Sequence, residues 1–320
     1  MRARLMVGLV VLALTACGSP AAPQAVTVAP VDAIPGGAQE ITAAPPAGSI
    51  DCGDREASLR PGPQPAPGAM PPGSTMASIL ERGRLIVGVD QDTTRFGSRN
   101  PATGELEGFD IDLAREIARR IFGDPNRIDL KVVTAAQRET ALKDGQVDLV
   151  VRTYSITCER KKNVAFSVTY FLANQGILAV KGSGIRSAAD LSGKRVCAVK
   201  GTTSLAALYA LDPRPTLFGV TAWTDCLVML QQGQVDAIST DDVVLAGLKD
   251  QDEKNLELVN AGLGKEPYGI GVKLENVDLV RFVNGALAEM REDGTWERLY
   301  QTWLSSLGPS PGPPPARYRD

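Results

Sequence analysis

Residues 147–160, VDLVVRTYSITCER, contain a group of side chains that could bind a small anion. Residues 147–151 form a short apolar run rich in β-branched side chains, which predicts a buried strand. Arg152 begins the polar residues after that run, and Thr157 could cap a helix just before Arg160. Guanidinium groups and helix N-termini both bind anions, so this segment favours an anion site. The alternative is an ordinary strand-to-helix connection with arginines on the surface.

The composition argues against several classes of function. The 320 residues include no histidine, which excludes Ser-His-Asp and Cys-His catalysis as well as histidine-ligated metal sites. The cysteines show no CxxC spacing, and we expect neither a metal nor a cofactor. A net charge of −3 with interspersed acids and bases argues against nucleic acid as a partner. With 5% aromatic residues, a stacking platform for bases or sugars is not expected.

Prolines divide the chain into three regions. Most of the 22 prolines lie between Pro20 and Pro72 or between Pro309 and Pro315, so the globular region is expected to span about residues 75–307. Residues 17–75 are rich in Pro, Ala and Gly and predict a semi-extended tether. Residues 308–320 predict a Pro-rich tail.

The first residues have the pattern of a secretory signal peptide, which we assign to residues 1–16. Arg2 and Arg4 precede an apolar run that is too short for a stable membrane span. The following LTAC resembles a bacterial lipobox, which implies that Cys17 is lipidated and becomes the mature N-terminus. A free thiol at Cys52, within the tether, would be unusual in an oxidising compartment, so this segment could dock on the folded body.

Strand and helix patterns alternate from residue 76 onward, which favours parallel sheets covered by helices. The first series predicts strands at residues 85–89, 128–133, 147–151 and 175–180, with helices at 78–84, 108–123 and 135–143. After a break at residues 182–184, a second series predicts strands at residues 196–199, 217–222, 235–239 and 256–259, with helices at 203–211, 224–232 and 242–249.

A second break, at residues 261–267, precedes a strand at 268–272 and a long amphipathic helical stretch at 277–304, interrupted near Gly294. Two breaks that bracket a middle unit predict two lobes with a double crossover between them. We assign residues 76–181 and 268–307 to an outer lobe, and residues 186–263 to an inner lobe.

Five segments of the chain together resemble bacterial solute-binding proteins for polar amino acids, the extracytoplasmic receptors of ABC importers. The segments are LIVGVD followed by GFDIDLAREIA, VDLVVRTYSITCERKKNVAFS, KRVCAVKGTTS, GQVDAISTDD, and YGIGV followed by NGALAEMREDGTWERLYQTWL. The resemblance implies a two-lobed α/β fold of the periplasmic-binding-protein type. Two hinge strands, expected near residues 181–186 and 263–268, would let the lobes close over one amino acid.

The resemblance also implies roles for individual residues. Arg160 matches the arginine that binds the α-carboxylate of the ligand, and a guanidinium can make two charge-assisted hydrogen bonds at once. Thr203 matches a position whose backbone N–H reaches the same carboxylate, with Thr202 beside it. Asp241 matches the acid that pairs with the α-ammonium, although it could instead cap the next helix. Ser155 is expected to line the pocket from the outer lobe.

Arg152 departs from the pattern of neutral-amide receptors, which often carry a small residue there. A guanidinium would suit a side-chain carboxylate and favours glutamate or aspartate, unless Arg152 forms an outward salt bridge. Asp90 opposes this, because a buried acid beside an acidic ligand is unfavourable unless it is paired, for example with Arg152 or Arg95. Further candidates for contact with the ligand side chain are Phe96, Lys200 and Thr240.

The four cysteines that follow Cys17 allow three pairings. Cys197 and Cys226 both fall in the expected inner lobe, so we predict that they form a disulfide. This leaves Cys52 to pair with Cys158, which would fix the tether beside Arg160.

Three functions are compatible with these observations. The first is a lipid-anchored, monomeric receptor, outside the cytoplasm, that delivers glutamate, aspartate or their amides to an ABC permease. The second is a sensor that reports amino-acid supply to a membrane protein without transport. The third is an enzyme similar to the cyclohexadienyl dehydratases that share this scaffold, with Asp90 or Asp241 as general acid or base. The intact set of Arg160, Thr203 and Asp241 argues against an enzyme.

Overall fold

Two β-sheets with flanking helices form the framework of the protein in a computed structural model that describes residues 34–44 and 51–319. The predicted signal peptide and Cys17 lie outside the described residues. The strands are β1 (Gln39–Glu40), β2 (Leu85–Val89), β3 (Asp92–Thr93), β4 (Gly97–Arg99), β5 (Leu106–Glu107), β6 (Ile128–Val132), β7 (Leu149–Val150), β8 (Val164–Phe166), β9 (Phe171–Val180), β10 (Arg195–Val199), β11 (Thr216–Val220), β12 (Ala237–Asp241), β13 (Leu256–Val259), β14 (Lys265–Tyr268) and β15 (Gly271–Lys273). The helices are α1 (Thr75–Arg82), α2 (Phe109–Phe122), α3 (Arg138–Lys143), α4 (Thr203–Tyr209), α5 (Trp223–Gln231), α6 (Asp242–Lys249), α7 (Val277–Glu292) and α8 (Thr295–Trp303).

The outer lobe contains a five-stranded sheet in the order β6-β2-β7-β15-β8. Strands β6, β2 and β7 are parallel, whereas β15 runs antiparallel to both of its neighbours. Helix α2 packs on this sheet because its apolar residues recur at helical spacing and are buried. Helix α8 packs against α2, so the outer lobe contains segments from before and after the inner lobe in the sequence.

The inner lobe contains a seven-stranded sheet in which six strands follow the order β1-β11-β10-β12-β9-β13. Strands β10, β11 and β12 are parallel and alternate with helices α4 and α5, as the sequence pattern predicted. The long strand β9 runs antiparallel between β12 and β13, and its first residues also pair with β14.

The connection between the lobes differs from its predicted position. Strand β9 pairs with the inner strands β12 and β13, so residues 175–180 belong to the inner lobe and not to the outer lobe. The crossing is the antiparallel ladder in which Phe171 pairs with Tyr268 and Asn174 with Lys265. The prediction placed the first crossing at residues 181–186 because glycines interrupt the apolar pattern there. These glycines instead follow the end of β9, where the Ser183 N–H donates to the Val180 carbonyl.

Several predicted elements have different limits. The strand expected at residues 147–151 is reduced to β7, and the strand expected at 268–272 is split between β14 and β15 around Gly269. A Cβ at Gly269 would lie 2.8 Å from the side chain of Ile156, so the chain approaches its neighbour closely there. The polar loop after β2 forms a small sheet, β3-β4-β5, that the sequence pattern did not predict. Arg160 opens a short 3₁₀ helix, in which the backbone N–H of Arg160 donates to Thr157 Oγ1.

Segments of the predicted tether and tail belong to the folded body. Ser58 is buried, donates its hydroxyl hydrogen to the Phe166 carbonyl, and pairs with Tyr318 in a parallel bridge. Met70 is buried in the main apolar core, and the Tyr300 hydroxyl donates to the carbonyls of Gly308 and Pro309. These segments contain few large apolar residues, but hydrogen bonds to backbone carbonyls and a few buried side chains hold them on the folded body.

Two disulfides fix these elements, and they have the pairing that the sequence predicted. Cys197 on β10 is bonded to Cys226 on α5, within the inner lobe. Cys52 is bonded to Cys158, close in the chain to Arg160, so this bridge anchors the segment that precedes the outer lobe. Closing a loop restricts the unfolded chain, so each bridge is expected to stabilise the fold.

Gly108 occupies a position that only glycine can fill. Its φ is +133°, and a Cβ there would lie 2.3 Å from the carbonyl oxygen of Phe96. We therefore expect Gly108→Ala to lower the free energy of unfolding by about 3 kcal/mol or more, because both the backbone and the packing would be strained. Gly123→Ala is the matched control, since its nearest atom would be 3.6 Å away, and should cost about 1 kcal/mol. Equal costs in urea denaturation would contradict this assignment.

Candidate functional site

A polar cavity lies between the two lobes. It is lined by residues from the segment after β7, from the starts of helices α3, α4 and α5, and from the end of β12. The cavity is narrow in this arrangement of the lobes, with a volume of about 20 Å³, room for about one water molecule. Its lining residues are Arg138, Arg152, Thr153, Ser155, Arg160, Thr202, Thr203, Ser204, Trp223, Thr240, Asp241 and Val244.

Arg160 connects the lobes on one side of this cavity. Its guanidinium is buried and donates to the carbonyl of Ser155 at 2.6 Å and, across the cleft, to the carbonyl of Gly201 at 3.1 Å. It also lies 4.8 Å from the centre of the Tyr154 ring. Within the described region of the chain, Arg160 forms no ion pair with a carboxylate. A buried, uncompensated guanidinium is a strong site for an anion.

Arg138, which the sequence analysis missed, is a second cation that no carboxylate of the described residues pairs with. Its guanidinium donates to the carbonyls of Ala135 and Gly201 at 2.9 and 3.0 Å, and lies 4.2 Å from the centre of the Tyr154 ring. Burial, followed by the charge of Arg160, holds the pKa of Arg138 well below its ordinary value. A ligand carboxylate would relieve this repulsion between two neighbouring guanidinium groups.

Asp241 lies on a different side of the same cavity, at the end of β12. One carboxylate oxygen accepts a hydrogen bond from the Tyr268 hydroxyl, whereas Oδ1 is buried without a partner among the described residues. Burial, followed by the charges of Glu266 and Asp242, raises the pKa of Asp241 to about 8. Asp241 makes no capping hydrogen bond to helix α6; Asp242 accepts the N–H of Val243 instead.

Arg152 lines the cavity and forms a buried ion pair with Asp90, with 2.9 Å between Nη2 and Oδ1. Burial raises the pKa of Asp90, but Arg152 and hydrogen bonds from Thr93 and neighbouring groups outweigh it, so the pKa lies below its ordinary value. The Nε of Arg152 is buried without a hydrogen-bond partner in the described structure. The outward salt bridge that the sequence left open is therefore not formed, and Asp90 is compensated by Arg152.

Hydroxyl groups from both lobes meet between the charged groups. Ser155 Oγ lies 3.4 Å from Thr203 Oγ1, which donates to Glu266 at 2.9 Å. Ser204 Oγ donates to Thr240 Oγ1 at 3.2 Å. Thr202 caps helix α4 through its side chain, so Thr203 is the first residue of that helix. These groups can donate to or accept from a polar ligand.

Seven of the ten predicted ligand-contacting residues line the cavity, and three do not. The three that do not are Asp90, Phe96 and Lys200. Asp90 is occupied by Arg152, and Phe96 is fully buried against aromatic rings that include Phe171 and Tyr268. The Lys200 ammonium donates to the carbonyl of Gly37, so it is held by the N-terminal segment.

Arg138 and Trp223 were missed, although each is the first residue of a helix that comes after a strand, α3 after β6 and α5 after β11. Ligands of α/β proteins bind beyond the carboxyl ends of strands, so this position was the available signal. The described residues include no cluster of three or more Cys, Asp or Glu side chains that could hold a metal ion. The cavity offers a cationic region and, on a different side, the Asp241 carboxyl, whose ionised form a ligand ammonium would favour.

The family model for bacterial extracellular solute-binding proteins, family 3, matches residues 85–306. The chain therefore belongs to this family. It is 39% identical over 231 residues to the ABC transporter glutamine-binding protein GlnH of Bacillus subtilis, covering 72% of this chain and 84% of that protein. It is 32% identical over 238 residues to the glutamate-binding protein GluB of Corynebacterium glutamicum, covering 71% and 80%.

Solved structures confirm the expected fold. The crystal structure of the solute receptors for L-cysteine of Neisseria gonorrhoeae matches with a TM-score of 0.70 and 29% identity, over 73% of this chain and 94% of that one. An ancestral arginine-binding protein bound to glutamine matches with a TM-score of 0.65 and 35% identity, over 70% and 98%. No helix in the described residues is long and apolar enough to span a membrane.

The raised pKa of Asp241, about 8, predicts how stability depends on pH in the absence of ligand. An unfolded aspartate ionises near pH 3.9, so unfolding releases a proton between that pH and about 8. Raising the pH through this range therefore favours unfolding. We expect the melting temperature of Asp241→Asn to exceed that of the wild type by more at pH 8 than at pH 5. A difference that is equal at both pH values would contradict the raised pKa.

Proposed function

We propose that this protein is a lipid-anchored extracytoplasmic receptor that binds a polar L-amino acid between its lobes and delivers it to an ABC permease. Among polar amino acids we propose glutamate and aspartate as the preferred ligands. The observation that carries the proposal is the separation of charge in the cavity. Arg160 and Arg138 lack carboxylate partners in the described structure, and Asp241 Oδ1 lacks a donor.

The α-carboxylate of an amino acid would bind Arg160, and its α-ammonium would bind Asp241. Arg160 comes from the outer lobe and Asp241 from the inner lobe, so a single zwitterion would contact both and stabilise the closed form. Micromolar affinity corresponds to about −8 kcal/mol. Charge-assisted hydrogen bonds contribute roughly 1.5–3 kcal/mol each, so these two groups and the nearby hydroxyls could supply much of that free energy.

The charge balance of the cavity favours an acidic side chain. Three arginines line the cavity, and Asp90 compensates only Arg152. The α-carboxylate would neutralise one of the two remaining guanidinium groups, which leaves one for a second carboxylate. Glu266 does not line the cavity; it accepts a hydrogen bond from Thr203 and raises the pKa of Asp241. The unpartnered Nε–H of Arg152 is a further donor for a side-chain oxygen.

Anchoring and delivery rest on the sequence and the family. The lipobox-like LTAC favours lipidation at Cys17, and the relative GlnH of Bacillus subtilis is named as an ABC transporter protein. Mass spectrometry of the N-terminal peptide from membranes would detect acylation. Capture from membranes in the presence of ligand would identify a permease, whereas capture of a signalling protein would favour the sensor. Recovery of the amino acid unchanged after incubation would exclude turnover by a dehydratase-like activity.

Calorimetric titration with the four amino acids tests the ligand assignment. We expect glutamate and aspartate to bind at least tenfold more tightly than glutamine and asparagine. A preference for the amides would contradict the charge balance, although the receptor function would stand. Failure of all polar amino acids to bind would overturn the receptor function itself.

Arg138→Gln provides a sharper test of the same charge balance. We expect it to weaken binding of glutamate and aspartate at least tenfold and binding of glutamine less than threefold, because only the acids need the second positive charge. Arg291→Gln is the matched control. Arg291 is also a largely buried arginine that donates to backbone carbonyls, those of Thr169 and Pro314, but it does not line the cavity. Equal losses for acids and amides would refute the role of Arg138.

A further inference from the structure

The hairpin formed by β3 and β4 projects from the outer lobe and contacts the inner lobe beside the cavity. It follows β2 and precedes α2, both of which belong to the outer lobe. Its contacts are with helices α5 and α6 and the residue after α6, all in the inner lobe. These contacts exist in the closed arrangement of the lobes and would be lost if the hinge opened.

One of these contacts is between Thr94 and Gly247. A Cβ at Gly247 would lie 2.9 Å from Thr94 Cβ and 3.4 Å from its carbonyl oxygen. Gly247 lies within helix α6, where glycine is about 1 kcal/mol less favourable than alanine. A glycine that costs helix stability at this position is explained by the close approach of the hairpin.

Two polar contacts accompany the steric one. Asp92 Oδ2 accepts the backbone N–H of Trp223, the first residue of helix α5, at 3.1 Å. Arg95 forms an ion pair with Asp250, which follows helix α6. The first contact places a carboxyl group at a helix N-terminus, where the backbone N–H groups have no partner within the helix.

The hairpin is held firmly on the outer lobe. The carbonyls of Arg95 and Phe96 accept the N–H groups of Phe109 and Asp110 at 2.7 and 2.9 Å. Arg95 has a φ of +72°, which non-glycine residues rarely adopt, and these bonds hold it there. At the base of the hairpin, Thr93 donates to Asp90, the partner of Arg152. A hairpin fixed in this way moves with its lobe as a rigid unit.

We propose that Asp92, Thr94 and Arg95 form an interlobe clasp with Trp223, Gly247 and Asp250 that sets ligand affinity by stabilising the closed cleft. The proposal rests on the proposed receptor function. Except for Trp223, the clasp residues do not line the cavity, so they act on affinity through closure and not through contact with the ligand. The apparent dissociation constant of a ligand rises when the closed form is less populated.

Gly247→Ala tests the clasp, with glutamate titrated by calorimetry. The added methyl group should hold the hairpin away from α6 and weaken glutamate binding roughly tenfold or more. The melting temperature of the ligand-free variant should stay close to that of the wild type, since the better helix former offsets the loss of the clasp contacts. Weak glutamate binding by a variant of unchanged melting temperature separates loss of closure from damage to the fold.

Thr94→Gly supplies the rescue, because it removes the Cβ that the new methyl group would meet. We expect the double variant Thr94→Gly/Gly247→Ala to bind glutamate within about threefold of Thr94→Gly alone. Unchanged affinity in Gly247→Ala, or a loss that persists in the double variant, would overturn the proposal.

Hydrogen exchange of the ligand-free proteins keeps the clasp testable without any ligand. We expect the amide of Trp223, which donates to Asp92 across the lobes, to exchange faster in Gly247→Ala than in the wild type and to recover in the double variant. If no amino acid bound the wild type, the receptor function would fail, and this comparison would still decide the clasp. Equal exchange in all three proteins would overturn it.

Discussion

The buried charges of the interlobe cavity are the constraint on which the rest of this structure depends. Arg160 and Arg138 are removed from water without a carboxylate to compensate them in the described structure, and Asp241 is buried with one oxygen unpaired. Burying such groups is unfavourable unless the charges are paired. A ligand that brings a carboxylate to the guanidinium groups and an ammonium to Asp241, as a free amino acid would, would therefore stabilise the closed form.

The remaining architecture serves to bring these charges together from distant regions of the chain. The ladder between β9 and β14 is the connection that lets two separately built sheets approach each other. The disulfide between Cys52 and Cys158 lies close to Arg160 in the chain, so the segment that precedes the outer lobe is fixed beside the arginine proposed to bind the carboxylate. Carbonyl groups of Ser155 and Gly201 orient the Arg160 guanidinium from both lobes.

The ion pair between Arg152 and Asp90 links the cavity to the surface between the lobes. Asp90 accepts hydrogen bonds from Thr93 and from the backbone of Gln91, at the base of the β3-β4 hairpin. One pair of residues thus orients a cavity-lining arginine and supports the hairpin that touches helices α5 and α6. Asp92 lies in the same network, where burial and the charge of Asp90 raise its pKa to about 8. The lining of the cavity and the contact between the lobes are therefore joined by one network of hydrogen bonds.

The sequence by itself determined the alternation of strands and helices through local apolar periodicity, and the family through motifs within short segments. The resemblance to that family led to most cavity-lining residues. The disulfide pairing followed from the lobe to which each cysteine was assigned. Only the tertiary structure decided the hinge position, the docking of the Pro-rich segments, the pairing of Arg152 with Asp90 and the place of Arg138 beside Arg160. Each of these depends on contacts between residues far apart in the chain, such as Arg138 and Gly201, and local pattern carries no information about which distant groups will meet.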